Sequence, residues 1–193
     1  MSDQVAAAWL ASSVLPPLGA LRTAPATARG HVRGTLAAWR LSELSATVEL
    51  VVSELAANAV NASAGPDGRP AHLDGRIPVI RVRLFAGETV LVAEVWDEAG
   101  GVPARKNAGA ADESGRGLDL VHELTDARWG WYHAPSGPGK CVWAEFPIPS
   151  HPGRRRTAAG RTPPMDGMPN GTESGRLRPG SGHERPDLNP IRR

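Results

Sequence analysis

The sequence predicts an α+β fold: a two-layer α/β sandwich with its helices on one face of a mixed, mostly antiparallel sheet. Three observations carry this. Apolar residues recur every three or four positions between Pro25 and Ser63, then every second position from Ile80. The segments run helix, helix, strand, strand, helix, strand, strand. Short Gly-containing connections at Ala86-Gly87-Glu88 and Pro135–Gly139 join the strands pairwise, as hairpins require. Helices segregated from such a sheet pack as one layer upon it.

The elements follow in order. Pro16-Pro17 breaks any helix begun at Val5, and Leu18-Gly19-Ala20-Leu21 is compatible with a short edge strand. Pro25 suits the first turn of a helix that carries Ala28, Val32, Leu36 and Trp39 on one side. Leu41-Ser42-Glu43 interrupts it. A second helix spans roughly Glu43–Ser63, with Ser42 as its N-cap or Ser45 in its place. Leu44, Val48, Val51, Val52, Leu55, Ala59 and Ala62 form its apolar stripe. Gly65-Pro66-Asp67-Gly68 ends it and opens a polar loop to residue 76. Ile80, Val82 and Leu84 then alternate with Arg81 and Arg83. Thr89–Trp96 is a near-continuous β-rich run, as a central strand has. Residues 98–114 have no periodicity and form a long loop, a kind that is usually functional or mobile. Gly115-Arg116-Gly117 opens a third helix with Leu118, Val121, Leu124 and Thr125 on one side. Residues 128–133 and 141–148 make the closing hairpin.

Composition divides the chain. Residues 1–149 hold thirteen basic and sixteen acidic residues, net −3, and residues 150–193 hold nine Arg and four acids, net +5. The second part has seven Pro, seven Gly and no aromatics, too little apolar surface to offset ordering. The expected organisation is an extension over 1–17, a domain over 18–149 and a disordered Arg/Pro/Gly-rich tail over 150–193. Arg154-Arg155-Arg156 lacks interleaved aromatics for stacking, so a solvated tail is favoured over a nucleic-acid partner. One cysteine, Cys141, excludes a disulfide framework and argues against structural zinc. No apolar run approaches the roughly 20 residues of a membrane span, and Met1–Trp9 has no basic leader region. A soluble, cytoplasmic protein is expected.

Three segments can carry chemistry. Glu54 and Asn58 stand four residues apart and share a helix face, with Asn61 close by. A carboxylate and an amide together can hold a hard cation and water; alone, an ordinary polar helix surface is the commoner reading. Asp97 ends a buried strand and is followed by Gly100-Gly101, which suits a polar pocket with close backbone approach. A carboxylate there can accept an exocyclic amine proton, though a strand-ending Asp in a turn looks the same. Gly115-Arg116-Gly117-Leu118 precedes a helix whose N–H groups and dipole favour an anion; a plain Gly-containing helix start is common too. Rival motifs fail. Ala134 and Cys141 flank Gly139-Lys140 where a phosphate-binding loop needs Gly and Ser or Thr. No third glycine completes a dinucleotide fingerprint, and no His-Glu-x-x-His occurs.

Order and spacing make the segments specific together. Val52-Ser53-Glu54-Leu55-Ala56-Ala57-Asn58-Ala59-Val60, Val95-Trp96-Asp97, Gly115-Arg116-Gly117-Leu118-Asp119-Leu120-Val121, Asp126-Ala127-Arg128-Trp129-Gly130-Trp131 and Gly139-Lys140-Cys141-Val142-Trp143 stand in one order, after Ala28-Arg29 and Trp39. From about Leu18 to Pro149 the chain resembles the GHKL (histidine-kinase-like) ATPase superfamily, and more closely the anti-sigma-factor serine/threonine kinases of actinobacteria. That resemblance implies a Bergerat-type ATP-binding fold, with ATP and Mg²⁺ as cofactors. It implies that Asn58 holds the metal and Glu54 is the catalytic base or orients the nucleophile. Asp97 would bind the adenine amine, and Gly101 would let the backbone approach the base. Gly115, Arg116, Gly117 and Leu118 would line the phosphates, with Lys140 adding charge there, under a lid at 102–114. Partners implied are an anti-anti-sigma antagonist, phosphorylated on Ser or Thr, a sigma factor, and a second copy in a homodimer. The chain departs from the family pattern at Ala62, where His is usual, at Ala99, where many members have Gly, and at Cys141, where Thr is usual. Ala62 and Cys141 motivate the alternative, a nucleotide-binding interaction module with weak or no catalysis.

Overall fold

The computed structural model describes residues 9–71, 75–103, 117–134 and 139–149. The disorder expected of 150–193 therefore lies outside the described residues, as do Gly115, Arg116 and most of the expected lid. Two strands, β1 (Ala11–Val14) and β2 (Leu18–Gly19), precede helices α1 (Ala24–Ala38) and α2 (Ser45–Ala62). β3 (Val79–Ala86), β4 (Val90–Asp97), α3 (Gly117–Leu124), β5 (Trp129–His133) and β6 (Lys140–Pro147) follow. The sheet runs β1-β3-β4-β6-β5, with β2 pairing the other part of β3 along the same edge. Among the described residues every strand pairing is antiparallel, which narrows the expected mixed sheet.

The α+β sandwich follows from alternation. Ile80, Val82 and Leu84 of β3, Leu91, Ala93 and Val95 of β4, and Val142, Ala144 and Phe146 of β6 face the helices. Against them lie Val32 and Leu36 of α1 and Val48, Val51, Val52 and Leu55 of α2, all buried. α2 is the hub: it packs against α1, α3 and strands β3, β4 and β6. This centrality puts its polar residues within reach of both the sheet and α3.

Two local expectations change. β1 lies inside the stretch 1–17 that the sequence sets apart from the domain, yet it pairs with β3 from Ala11↔Ala86 to Val14↔Arg83. Its polar Ser12-Ser13 centre hid it: Ser13 faces the helices but turns its hydroxyl to His31 and Thr35 of α1. The start of α2 is also not capped by Ser42 or Ser45. Ser42–Leu44 forms a 3-10 turn, and Leu44 takes the N-cap position with no side-chain cap bond. A tight preceding turn does the work a hydroxyl was expected to do. α1 ends with Arg40 at φ +57, while Arg40 and Leu41 donate their N–H groups to Ala37 and Leu36 carbonyls, the arrangement that terminates many helices.

Candidate functional site

α2 presents Glu54 and Asn58 one turn apart, both half-buried, while Leu55 and Ala59 of the neighbouring stripe are buried. The first residue of α3 meets that pair. A Cβ placed on Gly117 would lie 2.9 Å from Glu54 Oε2, 3.3 Å from Asn58 Nδ2 and 3.5 Å from Asn58 Oδ1. Gly117 thus brings the start of α3 against the tips of both polar side chains of α2, with no side chain of its own between them. Asn58 Nδ2 is buried and has no hydrogen-bond partner among the described residues. A buried orphan donor costs free energy, so it marks a place where something outside the described chain can bond. Leu118 is 8 % exposed, and its side chain joins the apolar core. It can offer an anion only its backbone. Asn61 is exposed.

The second focus is the end of β4. Asp97 is 1 % exposed. Its Oδ1 accepts from the Ala99 N–H at 2.9 Å and from Lys140 Nζ at 2.8 Å. Lys140 Nζ also donates to the Ala99 carbonyl at 3.3 Å. Burial pushes the Asp97 carboxyl above the usual aspartate range, against the opposing pull of Lys140 and the Ala99 N–H. Asp97 and Lys140 are register partners of β4 and β6. The preceding residue makes that register possible: a Cβ on Gly139 would fall 2.3 Å from the Asp97 carbonyl oxygen and 2.9 Å from the Trp96 ring.

Lys140 therefore sits at the carboxylate of Asp97, where the sequence expectation put its charge toward phosphates. Cys141 points the other way. It pairs with Trp96 and Tyr132 on the sheet face away from the helices, buried and in no disulfide. The Thr-to-Cys departure is thus on the opposite face from Asp97. Strand alternation puts Lys140 in phase with inward Val142 and Asp97 in phase with inward Val95, and the β4–β6 register sets the two opposite each other. Gly101 adopts φ +97 and nothing lies within 4 Å of a Cβ there. Its requirement is conformational, not one of crowding. Glu98, next to Asp97, is structural. It takes both guanidinium nitrogens of Arg76 at 2.7 and 2.8 Å and the Val79 N–H at 3.0 Å, tying the start of β3 to the end of β4. His122 accepts from the Trp129 indole, a packing role.

Two polar clusters result: a carboxylate and an amide against a helix start, and a buried carboxylate in a loop-topped strand end. The family of the histidine kinase-like ATPase domain matches residues 19–146. No curated protein matches the chain. No helix of the described residues is long and apolar enough to cross a membrane.

Proposed function

The chain belongs to the histidine kinase-like ATPase domain family, an ATP-binding family, and from that premise we propose that it is a cytoplasmic protein kinase. In this reading it transfers the γ-phosphoryl group of Mg-ATP to a Ser or Thr of an anti-anti-sigma-type antagonist and also sequesters a sigma factor. The observation that carries it is Gly117, the glycine that lets α3 close on Glu54 and Asn58.

The roles follow from chemistry. Asp97 Oδ2, which carries no bond among the described residues, accepts the exocyclic amine of adenine. Asn58 and Glu54 supply oxygen donors on one helix face. No group of three His, Cys, Asp or Glu side chains among the described residues could cage a metal. That donor set fits Mg²⁺, which keeps waters and takes further oxygens from phosphates. Asn58 would hold it, and when bound it neutralises charge on the phosphates. The first N–H groups of α3, which begins at Gly117 beside that pair, would favour an anion there. Glu54 takes the proton of the attacking hydroxyl. That oxygen bonds to the γ-phosphorus, the bond from phosphorus to the β–γ bridging oxygen breaks, and ADP leaves with the electron pair. Positioning and charge neutralisation supply most of such a rate.

The test is radiolabelled transfer to candidate antagonists with Glu54→Ala. Transfer is expected to fall by about 100-fold or more while ATP affinity is kept. Equal transfer by the variant refutes the role of Glu54. The second reading, a nucleotide-binding module without catalysis, rests on Ala62, exposed at the last turn of α2 where the resembled kinases carry His. Bound ATP with no transfer by the unaltered chain favours it.

A further inference from the structure

We propose that Lys140 is a base-reading residue: held against Asp97, it donates a hydrogen bond to N1 of the adenine whose amine Asp97 accepts. This rests on the nucleotide-binding reading and adds to it the source of base selectivity. An ammonium has three N–H groups. Two of them are spent, on Asp97 Oδ1 at 2.8 Å and the Ala99 carbonyl at 3.3 Å. Asp97 Oδ1 is saturated by Lys140 and the Ala99 N–H, which leaves Oδ2 as its acceptor. The pair so offers one acceptor and one donor side by side. The edge of adenine offers the complement: an amine donor at N6 next to an acceptor at N1.

The pair is also built to hold that position. Lys140 and Asp97 are opposed in register across β4 and β6, so their backbones cannot slide apart without breaking the sheet. Both are buried, Asp97 at 1 % and Lys140 at 6 % exposure, so water does not readily replace a missing partner. The close approach at Gly139, 2.3 Å from the Asp97 carbonyl for any added Cβ, fixes the strand carrying Lys140 against the end of β4. A lysine in this place therefore has a fixed address at the base end, distinct from the α3 end where phosphates would lie.

The experiment compares ATP with 1-deaza-ATP, in which N1 is replaced by C–H, on the full chain by calorimetry. 7-Deaza-ATP is the control, altered on the other edge. The unaltered chain is expected to bind 1-deaza-ATP roughly 10- to 100-fold more weakly than ATP, as loss of a bond to a charged donor implies. It is expected to bind 7-deaza-ATP as it binds ATP. Lys140→Met is expected to bind ATP at least about tenfold more weakly and to lose the discrimination between ATP and 1-deaza-ATP. A merely structural lysine would lower both affinities equally and leave the ratio intact, which overturns the proposal. Tighter ATP binding by Lys140→Met also overturns it, because the ammonium would then be a plug. If Lys140→Met does not fold, Lys140→Leu also removes the donor and reads the same ratio, with the same outcomes. Equal binding of ATP and 1-deaza-ATP by the unaltered chain overturns the proposal without any variant. A chain that binds none of the three nucleotides refutes the nucleotide-binding reading itself, a different failure.

Discussion

The two ends of the candidate site are built in opposite ways. At the Asp97 end Oδ1 and two of the Lys140 N–H groups are bonded within the fold, and the nearest obstacle to the key glycine is main chain. At the Glu54 end Asn58 Nδ2 is buried without a partner, and the groups around the key glycine are tips of side chains. The first end is set when the sheet forms. The second depends on helix packing and on whatever fills it. A ligand held between them would meet a rigid reader at one end and adjustable groups at the other. This suits a reaction in which the base is only held while the phosphates change.

Substituting the two glycines tests the contrast, and the larger effect belongs to the Asp97 end. Gly139→Ala would press a methyl group to 2.3 Å from the Asp97 carbonyl oxygen, a backbone atom in a central strand. That strain cannot be relieved by a rotamer change. A stability loss of about 3 kcal/mol is expected, read by urea unfolding, together with loss of ATP binding. A variant as stable as the parent would show that β4 and β6 can part, and the Asp97 end would not be rigid.

Gly117→Ala is the counterpart. Its methyl group would meet Glu54 Oε2 at 2.9 Å and Asn58 Nδ2 at 3.3 Å, and both side chains can swing away. The helix gains about 1 kcal/mol from replacing glycine by alanine in its body, less at its first residue. Stability is expected to stay within about 1 kcal/mol of the parent, while ATP binding weakens because Glu54 and Asn58 are displaced. Unchanged affinity by calorimetry would separate Gly117 from the site. Large destabilisation would make the two ends alike.

How much of this was legible beforehand divides along the same line. The helix stripe from Val48 to Ala59 and the alternation from Ile80 to Leu84 fixed the sandwich, because each is a periodic signal repeated over many residues. Glu54, Asn58 and Gly117 were legible as types at a spacing, and the fold brings all three together. The partner of Asp97 was not, since pairing 43 positions apart depends on register, which local pattern does not reveal. The strand β1 escaped for a related reason: its inward Ser13 is satisfied by His31 and Thr35 of α1, a tertiary bond that replaces the apolar residue a strand pattern looks for. Leu118, the second residue of amphipathic α3, turns its side chain to the core as Val121 does, which the helical spacing of the two residues already carries.

The smallest effect sharpens the comparison at the scale of adjacent residues. Asp97 and Glu98 are consecutive carboxylates with opposite pH behaviour. Burial raises the Asp97 value above 3.8, so its own contribution to stability falls as pH rises through the raised value. The hydrogen bond from Arg76 comes first among the influences on Glu98 and lowers it below 4.5. Its contribution is therefore fully present above pH 4.5 and is lost as pH falls through the lowered value. Arg76 is 54 % exposed in its side chain, so solvent screens the pair and about 0.5 kcal/mol is the expected scale. Arg76→Met should cost roughly that much at neutral pH, and the difference from the parent should shrink toward zero once Glu98 is protonated in both. Urea unfolding across that range measures it. A difference that persists at the acid end would mean that Arg76 acts through its packing or its other contacts, and that the loop end of β4 is pinned by something other than charge.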